Sequence, residues 1–146
     1  MIEIKDLHKS FGANNVLCGV NLVIKEGESL AIIGRSGCGK SVLLKHIVGL
    51  LSPDEGYIRV EGKVINDLER KELYDIRRKF GFLFQGAALF DSMTVEENVA
   101  LALVENEHKI SPDELKKIVA EKLDLVGLPG TQKLKPSELS GGMKKR

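Results

Sequence analysis

The chain has 146 residues, 42% of them apolar and 29% charged, with a formal net charge of +1. That length supports one domain with a core, and the near balance of charge removes any whole-molecule pull toward nucleic acid or an anionic membrane. No apolar run approaches the ~18 residues of a bilayer span, and the first ten residues lack the apolar core of a signal peptide, so a cytosolic protein is expected.

In chain order, residues 1–7 alternate apolar and polar as a strand does, with Ile2 and Ile4 on one face. Residues 16–24 read as a second strand, ending at Lys25-Glu26-Gly27-Glu28. Residues 29–33 (SLAII) are nearly all apolar, the mark of a strand buried on both faces. Residues 34–39 read as a loop and 40–51 as a helix, with Val42, Leu43, Ile47 and Leu50 at helical spacing. Ser52-Pro53-Asp54-Glu55-Gly56 breaks that helix. Residues 57–60 and 63–65 form a predicted hairpin about Glu61-Gly62. A charged amphipathic helix is predicted over 68–79 and a second buried strand over 80–84 (FGFLF). Thr94-Val95-Glu96-Glu97 is a capping box opening a helix to about Val104. Ser111-Pro112-Asp113-Glu114 is another, with proline where its missing N–H costs nothing; its helix runs to about Val126, and Gly127 can cap it. Ser140-Gly141-Gly142 reads as a third helix start. Cys18 and Cys38 make no disulfide framework and are expected to be free thiols.

The strongest chemical signal is Gly34-Arg35-Ser36-Gly37-Cys38-Gly39-Lys40-Ser41, which has the form G-x-x-x-x-G-K-[ST] between a predicted strand and a predicted helix. This spacing is a phosphate-binding loop. The glycines let the backbone approach phosphate oxygens, and the positive end of the following helix adds to the attraction. Lys40 is suited to the β- and γ-phosphates as a point charge, and the Ser41 hydroxyl to Mg²⁺. MgATP is the expected ligand. A chance glycine-rich turn would explain the glycines but not Lys40 and Ser41 after them.

Leu139-Ser140-Gly141-Gly142-Met143, about a hundred residues on, resembles the LSGGQ signature of ATP-binding cassette (ABC) ATPases. The resemblance covers the whole chain in family order. It implies an α/β P-loop NTPase core with an antiparallel β subdomain and a helical subdomain. It divides the chain at 1–86, the β subdomain and P-loop core, and 87–142, the Q-loop and helical subdomain. It also implies roles for single residues. Phe11, before Gly12, matches the aromatic that stacks on adenine. Gln85, after FGFLF, matches the Q-loop glutamine that contacts Mg²⁺. The signature residues would contact ATP held by a second ATPase subunit. Leu89 and Phe90 are candidate anchors for a short helix of a transmembrane permease subunit, which places the protein on the cytoplasmic face of the inner membrane. Within the family, residues 83–99 and 136–143 look closest to the ATPase subunit of Mla-type phospholipid transporters, with Met143 replacing the usual glutamine.

The family pattern continues beyond the signature with a Mg²⁺-binding aspartate, a catalytic glutamate and a switch histidine. None of these follows here, so the chain reads as a C-terminally truncated cassette that binds ATP but carries no general base. Glu96, Glu97 and Glu138 read as helix-start residues favoured by the dipole, and His8, His46 and His108 as scattered surface or packing residues. The sheet is expected to be open beside residues 29–33. Three readings stay open: the ATPase engine of a lipid transporter, a nucleotide-binding module without turnover, and a non-transport ABC protein. The lack of a basic surface speaks against nucleic acid as a partner.

Overall fold

The structure, a computed structural model, describes residues 1–106 and 110–146; His108 lies outside the described residues. The chain divides into two units, Met1–Phe82 and Leu83–Arg146.

In the first unit, β1 (Ile2–Phe11) pairs antiparallel with β2 (Asn14–Ile24) on one side and β3 (Glu55–Val60) on the other. With β4 (Lys63–Val64) they form a four-stranded antiparallel sheet in the order β2-β1-β3-β4. β1 continues past Leu7, where the simple alternation stops, because a bulge resets its register between Ile4 and Leu7. Ile4 and Leu7, three residues apart, both turn inward at 2% and 0% exposure, which an unbroken period of two forbids. Asp6 sits in the bulge at φ 46°. Its N–H is taken by the Asn21 side-chain oxygen at 3.0 Å. Opposite the bulge, β3 approaches so closely that a Cβ on Gly56 would lie 2.1 Å from the Asp6 carbonyl oxygen and 2.4 Å from that of Lys5.

Helix α1 (Lys40–Ile47) lays Leu43 and Ile47 on a core formed with Ile4, Leu7, Leu17, Ile58 and Ile76. It ends before the predicted 51 because Gly49 turns left-handed at φ 68° and the Leu50 N–H bonds back to the Lys45 carbonyl at 2.8 Å. Leu50 is consequently 44% exposed. Helix α2 (Arg70–Arg77) buries Ile76, and Arg77 Nη2 donates to the Gly49 carbonyl at the end of α1.

Two predicted strands are corrected. Residues 29–33 and 80–84 take no place in the sheet. A strand is defined by ladder bonds to a neighbour, and among the described residues neither segment has one. Ile32 and Phe80 still pack against the core, while Ile33 is 94% exposed. The expected gap in a sheet beside residues 29–33 therefore does not arise in that form, since these residues belong to no sheet.

In the second unit, α3 (Val95–Asn106) and α4 (Pro112–Leu125) pack on a core of Val95, Ala100, Val119, Leu123, Leu128 and Leu139. The capping box before α3 forms as read: the Glu97 carboxylate accepts the Thr94 N–H at 2.7 Å, and Thr94 Oγ1 accepts the Glu97 N–H at 3.2 Å. The other first-turn donors, the N–H groups of Val95 and Glu96, reach the carbonyls of Leu134 and Gln132. Ser111 caps α4 by accepting the Glu114 N–H at 3.3 Å, and Gly127 ends the helix at φ 66°.

Candidate functional site

The phosphate loop runs over residues 34–39 and delivers the chain into α1. Gly39 is the N-cap of α1 at φ 92° and offers no side chain to its first turn. The first N–H groups of α1 therefore have no side-chain cap, and no acidic residue in the first turn offsets the positive end of the helix. Gly39 is buried, and a Cβ there would come within 2.9 Å of Val16 Cγ1 and 3.1 Å of the Val16 carbonyl oxygen, so the loop's last residue is wedged against β2. At the other end of the loop, a Cβ on Gly34 would meet Cys38 Sγ at 2.7 Å.

Lys40 turns back over this loop. Its ammonium donates to the Gly34 carbonyl at 2.8 Å and the Arg35 carbonyl at 2.7 Å, with Cys38 Sγ 3.7 Å away. Both oxygen partners are neutral carbonyls rather than carboxylates. The cation is held in place but its charge is not cancelled, which suits it to a polyanion. Ser41 stands in the first turn of α1 with its residue exposed, as are Arg35, Ser36, Gly37 and Cys38. Uncapped N–H groups, a fixed ammonium and an adjacent hard hydroxyl fit a nucleotide phosphate chain and its Mg²⁺ in chemistry. Both cysteines are free.

Phe11, also in the first unit, ends β1 and is 47% exposed, followed by Gly12 at φ 60°. The Lys9 ammonium lies 5.7 Å from the centroid of its ring. His8 sits at the surface beside Asp6 at 3.2 Å. His46 is fully buried with Nδ1 2.7 Å from the Val42 carbonyl oxygen. Both have the surface or packing character read from the sequence.

Gln85 and the signature belong to the second unit. Gln85 is exposed and starts a turn in which Ala87 and Ala88 take φ of 65° and 53°. In the signature, Leu139 is buried in the core, and Ser140 Oγ accepts the Met143 N–H at 3.2 Å. The predicted third helix is only a short 3-10 segment, Met143–Lys145, whose N-cap is Gly142 rather than Ser140. Gly141 and Gly142 are exposed, and nothing lies within 4 Å of a Cβ built on Gly141. Met143 packs against the core of this unit, so its thioether serves as a packing group rather than a donor.

An apolar groove of about 460 Å³ opens in the second unit, lined by Leu83, Ala87, Leu89, Val99, Leu123 and Met143, with Lys122, Lys144, Lys145 and Arg146 also at its walls. Leu89 contributes to it, whereas Phe90 is 53% exposed and outside its lining. Sequence reasoning missed Asn98, which anchors the segment around Phe90. Its side chain accepts the Phe90 N–H at 2.8 Å and donates to the carbonyls of Phe90 at 3.1 Å and Thr94 at 2.9 Å. An amide four residues into a helix, on the turn that faces the preceding loop, was the available signal.

Over residues 17–146 the chain matches the family described as ABC transporter. It is 49% identical, over 99% of its length, to a probable ribonucleotide transport ATP-binding protein of Mycobacterium leprae, covering 42% of that protein. It is 42% identical, over its full length, to the intermembrane phospholipid transport system ATP-binding protein MlaF of Haemophilus influenzae, covering 55% of it. The chain thus spans about half the length of these curated relatives. Among solved structures, a dimeric ATP-binding cassette in a post-hydrolysis state, bound to ADP and Pi, superposes with a TM-score of 0.89 at 38% identity, over 99% of this chain and 65% of that one. The fold is accordingly an α/β P-loop nucleotide-binding core with an antiparallel β subdomain and a helical subdomain.

Proposed function

Because the chain belongs to the ABC transporter ATP-binding family, we propose that it is the nucleotide-holding part of a transport ATPase and binds MgATP at residues 34–41. The observation that carries this reading is Lys40, an ammonium fixed by the carbonyls of Gly34 and Arg35 at the head of an uncapped helix. The loop N–H groups and the helix terminus would cradle the phosphates, and Lys40 would move from its carbonyls to the β- and γ-oxygens. Ser41 would hold Mg²⁺, which would neutralise charge on the phosphate chain. Phe11 would stack on the adenine. Residues 139–143 would meet the nucleotide of a second copy, a pairing supported by the dimeric cassette of the same fold.

Coupling to a membrane permease on the cytoplasmic face is the reading for the loop that carries Leu89 and Phe90, since an apolar groove and an exposed aromatic suit a docked helix. Phospholipid is the proposed cargo, supported by the MlaF relative and by the motifs at 83–99 and 136–143; the mycobacterial relative is named for ribonucleotides instead.

Lys40→Ala tests the site. It should weaken binding of a fluorescent ATP analogue by about 2–3 kcal/mol, the worth of a charge-assisted hydrogen bond to phosphate. Equal affinity in both proteins would sink the reading. The cargo assignment is tested by what co-purifies with the permease that this chain binds: bound ribonucleotide cargo and no phospholipid there would overturn it.

A further inference from the structure

We propose that Lys9 and Asp54 are positioning residues for the aromatic platform at Phe11, holding its ring and tuning one face so that the other accepts a purine. This rests on the reading of Phe11 as the base-stacking residue.

Lys9 and Phe11 are two residues apart on β1, on either side of a register shift between Lys9 and Ser10, and it is the measured approach of the two side chains that brings them together. The Lys9 side chain is only 18% exposed, although its ammonium lies over the Phe11 ring at 5.7 Å. What fixes it there is Asp54, whose Oδ1 accepts from Lys9 Nζ at 2.7 Å. Asp54 is itself tied down twice more on the same strand. Its Oδ2 accepts the Ser10 N–H at 2.7 Å, and its own N–H donates to the His8 carbonyl at 2.9 Å. One residue therefore grips residues 8, 9 and 10, immediately before Phe11. Asp54 follows Pro53 in the segment that leaves α1, so the end of the strand bearing the aromatic is pinned to the segment after the phosphate-loop helix.

A lysine at the end of a strand ordinarily samples many rotamers, and ordering it costs side-chain entropy. Asp54 selects the one that places the cation on the ring. The face of an aromatic ring is negative, and a cation on one side draws π density toward itself. The opposite face then repels the π cloud of a stacked base less, favouring the offset arrangement. Lys9 needs no contact with the nucleotide to do this. The effect is confined to ligands that carry a base, which separates it from the phosphate contacts of Lys40.

The test uses the full chain with two ligands, MgATP and Mg-tripolyphosphate, the second presenting phosphates without a base. Lys9→Met and Asp54→Asn should each weaken MgATP roughly three- to fivefold, the range of an exposed cation–π contact. Both should leave tripolyphosphate unchanged. The double variant should lose no more than either single one, because the two residues act in series. Lys9→Arg should restore the affinity, and in a Phe11→Ala background Lys9→Met should change nothing. Equal losses for both ligands would mark a general structural defect and overturn the proposal, as would unaltered MgATP affinity in Lys9→Met. The phosphate-loop reading is separated by the wild-type chain: failure to bind tripolyphosphate would sink that reading and the base platform with it.

Discussion

Gly39 is where the phosphate loop meets the core, and two constraints coincide on it. Its φ of 92° is a conformation that L side chains rarely adopt, and a Cβ would press on Val16 and Leu17. Gly39→Ala should therefore destabilise the chain by roughly 1–3 kcal/mol, from backbone strain and overpacking together, read as a lower urea midpoint. Gly141→Ala is the matched control: with open space around it, its stability should stay within about 0.5 kcal/mol of wild type. A Gly39→Ala protein as stable as wild type would show that β2 yields freely at Val16. Residues of the loop were legible in the sequence because the motif is contiguous and its chemistry local. Lys40 needed only its spacing from the glycines to be singled out. The packing role of Met143 was not legible, since it depends on which residues from elsewhere in the chain surround it. Asp54 was read as part of a helix break, and its second task of holding Lys9 and Ser10 depends on partners 45 and 44 residues away in sequence.

At the level of elements, the helix starts were legible for the same reason of locality. Thr94 and Glu97 satisfy each other's backbone within one turn. That pair also gives α3 a pH dependence. The hydrogen bond from the Thr94 N–H, then that from its hydroxyl, holds the Glu97 carboxyl below its ordinary value of 4.5. A group whose folded pKa is depressed contributes stability above its unfolded value and loses it as pH falls through the folded one. The difference in urea midpoint between wild type and Glu97→Gln should thus be present near pH 7 and shrink to nothing as pH falls well below about 4.5. A difference constant from about pH 7 to about pH 3 would remove Glu97 as its source. Strands were less legible. β1 outran its alternation because a bulge inverts it, and residues 29–33 and 80–84 have the composition of buried strands without a ladder neighbour. Apolar composition reports what a segment would bury, and pairing needs a second segment.

Across the whole molecule, the consequence is exposed apolar surface: Ile33 at 94%, Leu125 at 78% and Leu83 at 73%. Large apolar side chains left in water invite association with other chains. The 146-residue chain should self-associate at concentrations on the order of 10 μM, seen as a rising light-scattering mass. Ile33→Lys combined with Leu125→Lys should lower that mass. A wild-type chain that stays monomeric throughout would contradict the expectation. The close approach at Gly56 has a further consequence, for inheritance rather than for folding. A side chain there collides with the backbone of β1, whereas one on Gly141 meets open space. The chain's glycines thus answer to two different selective pressures. Those like Gly56 are purged of change in any lineage that must still make a folded protein, whatever it carries. On the proposed function, those like Gly141 would be kept only while there is a nucleotide to contact, and would be the first to drift in a copy released from that work.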